Sequence, residues 1–106
     1  MKVKNMISSS GNAVANQFII ETKEKGFING EEYEDDAVYF QSYDSIIAKK
    51  VFEAKHFNRW QVYLDKTYWD YSNTIGEYRN LFLGENKKKT EKKIKSGEYI
   101  LTDLNR

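Results

Sequence analysis

Apolar and polar residues alternate through much of the N-terminal part of the chain, a pattern typical of β-strands that bury one face. The alternation is clearest over four stretches, residues 14–21, 37–43, 46–52 and 60–64. A serine-rich stretch with one glycine at 8–12 precedes the first of them and predicts a turn. We therefore expect four strands before residue 65.

The residues between these stretches indicate how the strands are connected. Residues 22–36 are rich in lysine, glutamate, aspartate and glycine, so we expect a hairpin connection there rather than a packed element. Asp44 and Ser45 are the expected turn between the second and third strands, and residues 55–59 are the expected loop before the fourth. Strands joined in this way form an antiparallel meander.

The apolar pattern changes its period after the fourth strand, which predicts a helix. Thr74 and Glu77 have the spacing of a capping box, and Gly84 is a typical helix stop. Between them, apolar side chains recur at intervals of three and four residues. The segment of about 74–83 is therefore the predicted core helix.

A second helix is predicted at about 86–96, where strong helix formers precede Gly97. Ile94 is its only large apolar residue, so this lysine-rich helix is expected to lie on the surface. Residues 99–104 contain a further apolar run and are expected to form the last strand.

The length and composition of the chain predict one folded unit. It has 106 residues, of which 40% are hydrophobic and 15% aromatic, enough for one core but not for two. We expect residues 1–106 to form a single α+β domain. The predicted fold is an antiparallel sheet of four to five strands with one core helix packed on it and a lysine-rich surface helix near the C-terminus. An exposed sheet edge would also allow a twofold homodimer.

Missing residue types narrow the function classes. The chain has no cysteine, which excludes disulfides and thiolate metal sites and favours a reducing compartment. No apolar run approaches the ~18 residues that span a bilayer, and the N-terminus lacks the apolar stretch of a signal peptide. We therefore expect a cytoplasmic protein without a membrane partner.

Motifs that carry chemistry are missing as well. His56 is the only histidine and the six glycines are dispersed, so the sequence has neither a histidine metal set nor a phosphate-binding loop. No glycine-flanked serine marks a nucleophile. We expect no catalytic residues, no cofactor and no metal. A small enzyme acting on a metabolite or a signalling nucleotide is an alternative, but the sequence locates no pocket for it.

Charge is distributed unevenly along the chain. Residues 1–48 carry four basic and eight acidic side chains, a net charge of −4, and residues 49–106 carry thirteen and eight, a net charge of +5. The acidic part contains one dense run, Glu31, Glu32, Glu34, Asp35 and Asp36. We interpret this run as the contact for a partner protein. A solvated loop and a site for a hard cation are the alternatives, although the order of residues does not match a calcium loop.

The basic part contains a second dense run, six lysines within nine residues of the second predicted helix. They are Lys87, Lys88, Lys89, Lys92, Lys93 and Lys95. Such lysines neutralise nucleic-acid phosphates, but they are equally typical of a solvated helix. Because the run lacks arginine, which reads bases through paired hydrogen bonds, attraction to the nucleic-acid backbone is favoured over base-specific recognition.

Aromatic side chains form a further candidate surface. Tyr39, Tyr43 and Tyr71 are expected to contribute to an interface, because tyrosine combines a large contact area with a polar hydroxyl. Trp69 and Tyr78 are expected instead to hold the core helix against the sheet.

Several short segments together resemble a known group of proteins. They are Asn16-Gln17-Phe18, Tyr39-Phe40-Gln41-Ser42-Tyr43, Tyr68-Trp69-Asp70-Tyr71-Ser72, Phe82-Leu83-Gly84 and Lys92-Lys93-Ile94-Lys95-Ser96-Gly97-Glu98-Tyr99. The group consists of short, uncharacterised proteins carried by bacteriophages and plasmids of Gram-positive bacteria, and the resemblance covers most of residues 12–105. It implies an accessory protein of a mobile element that works in the host cytoplasm, such as an anti-CRISPR protein. It implies no catalytic residues.

Composition, charge and this resemblance together predict a non-enzymatic binding protein that inhibits a host defence factor by protein–protein contact. The acidic run and the tyrosines would form the contact, since an acidic surface can occupy the basic channel of a nuclease. The alternative is a nucleic-acid-binding accessory protein that grips phosphates with the lysine-rich helix and stacks bases on tyrosines.

Overall fold

A computed structural model describes residues 1–53 and 59–105 of the chain. Within these two ranges, six strands and two helices follow one another as β1 (Lys2–Ile7), β2 (Ala13–Ile28), β3 (Glu31–Ser42), β4 (Ser45–Glu53), β5 (Arg59–Asp65), α1 (Asn73–Leu83), α2 (Lys87–Ser96) and β6 (Tyr99–Thr102). Both predicted helices are confirmed to within one residue at each end. The predicted loop at 55–59, with His56, lies outside the described residues except for Arg59, which begins β5.

All six strands form one sheet in the order β1-β2-β3-β4-β5-β6. Neighbouring strands from β1 to β5 are antiparallel, whereas β6 lies parallel to β5. A parallel pair needs a long crossover, and here α1 and α2 provide it. The predicted α+β class is confirmed. The predicted antiparallel sheet of four to five strands is close but not exact, because the sheet of the described residues has six strands and is mixed.

Strand β1 is the element that the sequence pattern missed. It pairs with β2 along one edge of the sheet, and only Met6 of its six residues is buried. Its backbone therefore gains the hydrogen bonds of the ladder while its side chains remain largely exposed. A strand of this kind has no apolar alternation for a sequence pattern to detect.

The second correction concerns residues 22–36, which are not a loose connection. β2 and β3 remain paired up to Ile28 and Glu31, and the turn consists of Asn29 and Gly30 alone. Both turn residues have positive φ, 51° for Asn29 and 83° for Gly30, as a tight Asn-Gly hairpin turn requires. The long hairpin therefore ends in a local turn, and its charged residues are strand residues.

The turn between β3 and β4 lies one residue earlier than expected, at Tyr43 and Asp44. Tyr43 has a φ of 55°, and its N–H donates to the carbonyl of Asn16 over 2.7 Å. Asn16 itself has a φ of 64°, which interrupts the extended course of β2. Left-handed backbone is uncommon for a bulky residue such as tyrosine, so this turn holds Tyr43 in a strained conformation.

Helix α1 is capped at both ends. The hydroxyl oxygen of Ser72 accepts from the N–H of Ile75 at 3.1 Å, so Ser72 is the N-cap and the predicted capping box at Thr74 is wrong. Gly84 ends the helix with a φ of 69°, and its N–H donates to the carbonyl of Asn80 over 2.8 Å.

The hydrophobic core lies between α1 and one face of the sheet. Phe40, Ile47 and Leu64 are fully buried, and α1 packs Ile75 and Phe82 against them. The rings of Phe40 and Phe82 have their centroids 5.9 Å apart. Burial of large apolar side chains of this kind stabilises the fold by roughly 1.5–3 kcal/mol each. Trp69 and Tyr78 pack against this core from its margin, as expected.

Helix α2 lies at the β6 edge of the sheet. Asn86 caps its N-terminus, and the buried Thr90 and half-buried Ile94 face the protein. The carboxylate of Glu85 holds the helix in place, since it accepts from Thr90 Oγ1 at 2.7 Å, Lys93 Nζ at 2.7 Å and Tyr99 OH at 2.8 Å. Neither α1 nor α2, the helices of the described residues, has the length and apolar character needed to cross a bilayer.

Candidate interaction surfaces

The outer part of the β2–β3 hairpin, residues 22–36, forms a two-stranded extension that we call the acidic arm. β1 pairs with β2 only as far as Glu21, and β4 pairs with β3 only from Ala37 onward. Among the described residues, the two strands of the acidic arm therefore pair with each other and with no third strand. The arm extends beyond the rest of the sheet.

The acidic arm carries a strong net charge. It contains two lysines and six carboxylates, a net charge of −4. Lys23 lies 2.7 Å from Asp36, and Lys25 lies 3.2 Å from Glu32. Both pairs are well exposed, so they add little to stability and leave the surplus negative charge in place.

The five predicted acidic contact residues are not equivalent. Because side chains alternate along a strand, Glu31 and Asp35 point to one face of the arm and the other three to the opposite face. Glu31 and Glu34 are exposed, whereas Asp35 is only 8% exposed and its Oδ1 has no hydrogen-bond partner among the described residues. No three carboxylates or histidines of the described residues converge as a metal site would require.

An exposed aromatic residue stands at the end of the acidic arm. Phe27 is 70% exposed and pairs across the strands with Glu32. One residue before it, Gly26 pairs with Tyr33, whose ring occupies the space that a β-carbon on Gly26 would need. The arm thus combines negative charge with an apolar side chain near its tip.

Tyr39, one of the predicted contact residues, makes a hydrogen bond within the protein. Its hydroxyl donates to Glu24, and Lys49 Nζ lies 3.1 Å from the same carboxylate and 4.9 Å from the centre of the Tyr63 ring. Burial and the nearby Glu24 carboxylate raise the pKa of Tyr39. Tyr39 is half-buried and joins the base of the acidic arm to β4, so it does not present a free tyrosine face.

Tyr43 and Tyr71 are brought together by the fold, as a shared interface requires. They are 63% and 67% exposed and line one depression of about 420 Å³. Tyr68 forms its inner wall, with its ring centroid 5.2 Å from that of Tyr71. The hydroxyl groups of Ser42, Ser45, Ser72 and Thr74 also line it. The depression offers aromatic faces and hydroxyl groups, with Asp44 as the one charged residue among its described lining.

The six lysines of α2 divide into two groups. Lys87 Nζ lies 2.7 Å from Asp70, and Lys93 Nζ lies 2.7 Å from Glu85. These two lysines attach α2 to the protein. Burial alone would raise the pKa of Glu85, but its hydrogen bonds from Lys93, Thr90 and Tyr99 outweigh burial and hold the pKa below its usual value.

The second group of lysines forms what we call the free lysine face. It consists of Lys88, Lys89, Lys92 and Lys95. At 100° per residue, these four lie within about 120° of the helix circumference. All four are exposed, and within the described residues none of them forms an ion pair.

Residues 1–98 match the family described as "Family of unknown function (DUF8033)". The chain belongs to this family. The match covers every element from β1 to α2, including the acidic arm, the tyrosine depression and the free lysine face, and it ends before β6. No curated protein and no solved structure matches the chain.

One positioning residue of this DUF8033 chain was missed by sequence reasoning. Arg79 is 1% exposed and donates to the carbonyl of Trp69 at 2.8 Å and to Asp70 at 3.0 Å. Asp70 in turn pairs with Lys87, so a buried arginine on α1 helps to orient α2. An arginine inside a helix gives no sequence signal of burial, because arginine is mostly an exposed residue.

Lys50 is a second missed residue. It lies on the face of β4 that carries the core, at a position that strand alternation assigns to an inward residue. The alternation of Ala48 and Lys50 on one face was the available signal. The adjacent Lys49 hid this signal, because two neighbouring lysines are typical of a solvent-exposed stretch.

Proposed function

We propose that this protein is a non-enzymatic binding protein that contacts a basic partner protein through its acidic arm. The observation that carries the proposal is the arm itself, a two-stranded extension with a net charge of −4 and an exposed Phe27 near its tip. The backbone hydrogen bonds of the arm are already made within the hairpin, so they need not be formed when the arm enters a groove.

Charge and shape favour a partner that normally binds nucleic acid. A basic channel attracts the arm over several ångströms and speeds the encounter, and a central aromatic residue supplies the desolvated contact that gives most of the affinity. The resemblance to phage and plasmid proteins supports a partner in the host cytoplasm. The proposed role is therefore inhibition of a host defence factor, anti-CRISPR-like, by occupation of its nucleic-acid channel.

The test is retention of a host protein by the tagged chain and by a charge-reversed arm. Glu31→Lys with Glu34→Lys changes two exposed arm carboxylates that form no ion pair with the described residues, and it raises the net charge by 4. We expect the wild type to retain one host protein after nuclease treatment and the arm variant to lose it. Phe27→Ala should weaken the same complex by about tenfold or more.

A matched control distinguishes the effect of where the charges are reversed from the effect of the change in net charge. Glu77→Lys with Glu91→Lys makes the same change at exposed positions on α1 and α2. This control should retain the partner as well as the wild type does. Equal retention by the arm variant, or equal loss by the control, would show that the arm is not the contact.

The free lysine face supports a second candidate function, binding of nucleic acid through its backbone. Its four lysines lie within about 120° of the circumference and are not neutralised by the described residues. Each lysine that neutralises a phosphate contributes about 0.7 to 0.9 to the slope of log K against log salt. Four lysines therefore predict a slope of roughly −2.8 for single-stranded DNA and roughly −3.6 for duplex DNA.

Fluorescence anisotropy with a labelled single-stranded DNA measures this slope. Lys88→Gln with Lys92→Gln should make it shallower by about 1.4. Lys2→Gln with Lys66→Gln, two exposed lysines outside α2, is the matched control and should change it little. This candidate function would be contradicted if binding did not depend on salt. It would also be contradicted if both double variants weakened binding equally.

A further inference from the structure

An open apolar groove lies beside α1 on the core-bearing face of the sheet. Its walls come from β1, β2, β3 and the C-terminal turn of α1, with Met6, Ile19, Val38, Leu81 and Phe82 as the main apolar lining. The groove has a volume of about 830 Å³, which lies within the usual range of small-molecule sites. It arises because α1 covers β3 and β4 but leaves the β1 side of the sheet open.

The backbone of β1 is irregular where it borders this groove. The register between β1 and β2 shifts between Asn5 and Ile7, so Met6 lies at an irregularity in the ladder. Such bulges redirect a side chain, and Met6 is the one buried residue of β1. Across Val38, a second hollow of about 310 Å³ continues the groove to Trp60, which is 50% exposed.

A single amine stands where the two hollows meet. Lys50 lines both, and its Nζ donates to the carbonyl of Phe82 at 3.0 Å and lies 4.3 Å from the centre of the Phe82 ring. The last turn of α1 contains no basic residue, so Lys50 supplies the positive charge that a helix C-terminus favours. An ammonium group has three donors, and the described residues accept one of them.

The charged side chains that line the groove are all positive among the described residues. Among the described residues that line the groove, Lys4 and Lys50 are the charged ones and no carboxylate is present. Lys4 lies 3.9 Å from Glu21 at the exposed rim, which leaves Lys50 as the cation within the apolar part. Burial lowers the pKa of Lys50, as expected for an ammonium group without a nearby anion.

We propose that this groove binds a small amphipathic anion, an apolar chain or ring with one carboxylate, whose carboxylate pairs with Lys50 while its apolar part lies against Met6, Ile19 and Val38. A carboxylate would accept the spare donors of Lys50 in a place with little water, where a charge-assisted hydrogen bond is strong. The site uses no residue of the acidic arm or of the free lysine face. A test of this groove is therefore independent of the tests of both proposed functions.

Methionine NMR gives a direct test on the whole chain. The protein has two methionines, Met6 in the groove and Met1, which is 92% exposed and does not line it. On titration of methyl-labelled protein with sodium octanoate, we expect the Met6 signal to shift and saturate while the Met1 signal stays in place. A Met6 signal that does not move overturns the proposal.

Substitutions of Lys50 then test whether its positive charge is needed for binding of the anion. Lys50→Met should weaken octanoate binding by about tenfold or more and leave binding of the neutral 1-octanol unchanged, because only the anion needs the ammonium group. Lys50→Arg should retain octanoate. Lys88→Met, a matched loss of one lysine on α2, should have no effect on either ligand.

Two results would contradict the role of Lys50. One is a Lys50→Met variant that binds octanoate as the wild type does, and the other is equal weakening of octanoate and octanol. Should Lys50→Met fail to fold, the wild type decides the point, since equal affinity for octanoate and octanol overturns the proposal.

Discussion

Asp65 shows how one buried carboxylate can organise several segments of this chain. It is 1% exposed, and it accepts hydrogen bonds from the backbone N–H groups of Thr67 at 3.0 Å, Tyr68 at 2.9 Å and Leu104 at 2.8 Å. Burial alone would raise the pKa of Asp65, but these backbone hydrogen bonds together with Asn105 outweigh burial and lower it. The ionised carboxylate thus joins the end of β5 to the C-terminal residues.

Replacement of Asp65 by asparagine should destabilise the fold in a pH-dependent way. At pH 7 we expect the free energy of unfolding to fall by about 2 kcal/mol, since hydrogen bonds to a charged acceptor are worth roughly 1.5–3 kcal/mol. The folded pKa lies below the unfolded value near 3.8, so this stabilisation is present above pH 3.8 and is lost as the pH falls through the folded pKa. Urea unfolding at pH 7 and pH 3 measures it.

The difference in stability between wild type and Asp65→Asn should therefore shrink at pH 3. Asp44→Asn, at an exposed turn position, is the control and should change stability little at either pH. A difference that is the same at pH 3 as at pH 7 would contradict an ionised Asp65.

At the scale of elements, the acidic arm is separable from the core. Its residues 25–34 include none of the core residues that α1 covers, and their backbone hydrogen bonds lie within the hairpin. Glu24 at its base is different, because it binds Tyr39 and Lys49. The arm can therefore be shortened beyond Glu24 without disturbing these contacts.

Deletion of residues 25–28 and 31–34 gives a matched short hairpin. Four residues leave each strand, so the alternation of side chains is preserved and Glu24 faces Asp35 across the same Asn29-Gly30 turn. We expect the thermal unfolding midpoint to change by only a few degrees and retention of the partner protein to be lost. A collapse of the midpoint would show that the arm supports the fold; normal retention would show that the arm is not the contact.

At the scale of the whole molecule, the C-terminal segment closes the structure. β6 pairs with β5, Tyr99 donates to Glu85, and Asn105 exchanges two hydrogen bonds with the backbone of Ile46 at 2.6 and 2.9 Å. These contacts connect residues 99–105 to β4, to β5 and to Glu85, which precedes α2. The matched family region nevertheless ends at residue 98.

A chain that ends at residue 98 should be markedly less stable. It loses the buried Tyr99 and the hydrogen bonds to Asp65, Glu85 and Ile46, so we expect a loss of about 3 kcal/mol or more. Urea unfolding followed by circular dichroism measures this, with a chain lacking only residue 106 as control. An unchanged midpoint would show that β6 and the residues after it are dispensable for folding.

The elements that could be predicted are those whose signals are local. The helix stops at Gly84 and Gly97 follow from residues that accept left-handed backbone, and the strands over 37–43 and 46–52 follow from alternation. β1 could not be predicted, because its stability comes from pairing with β2 rather than from its own side chains. The length of the β2–β3 hairpin was missed for a related reason, since Lys23 and Lys25 stabilise a charged strand only once it is paired.

The sequence by itself determined the α+β class, both helices, the uneven charge and the residue types of the candidate surfaces, because these depend on composition and on neighbours along the chain. The tertiary structure alone decided which of those residues can act together. It brings Tyr43 and Tyr71 to one depression and places Tyr39 in a hydrogen bond with Glu24. It also pairs Lys87 and Lys93 with carboxylates and places Lys50 in an apolar groove. Each of these outcomes depends on contacts between residues distant in sequence, and no local pattern of polar and apolar residues encodes such contacts.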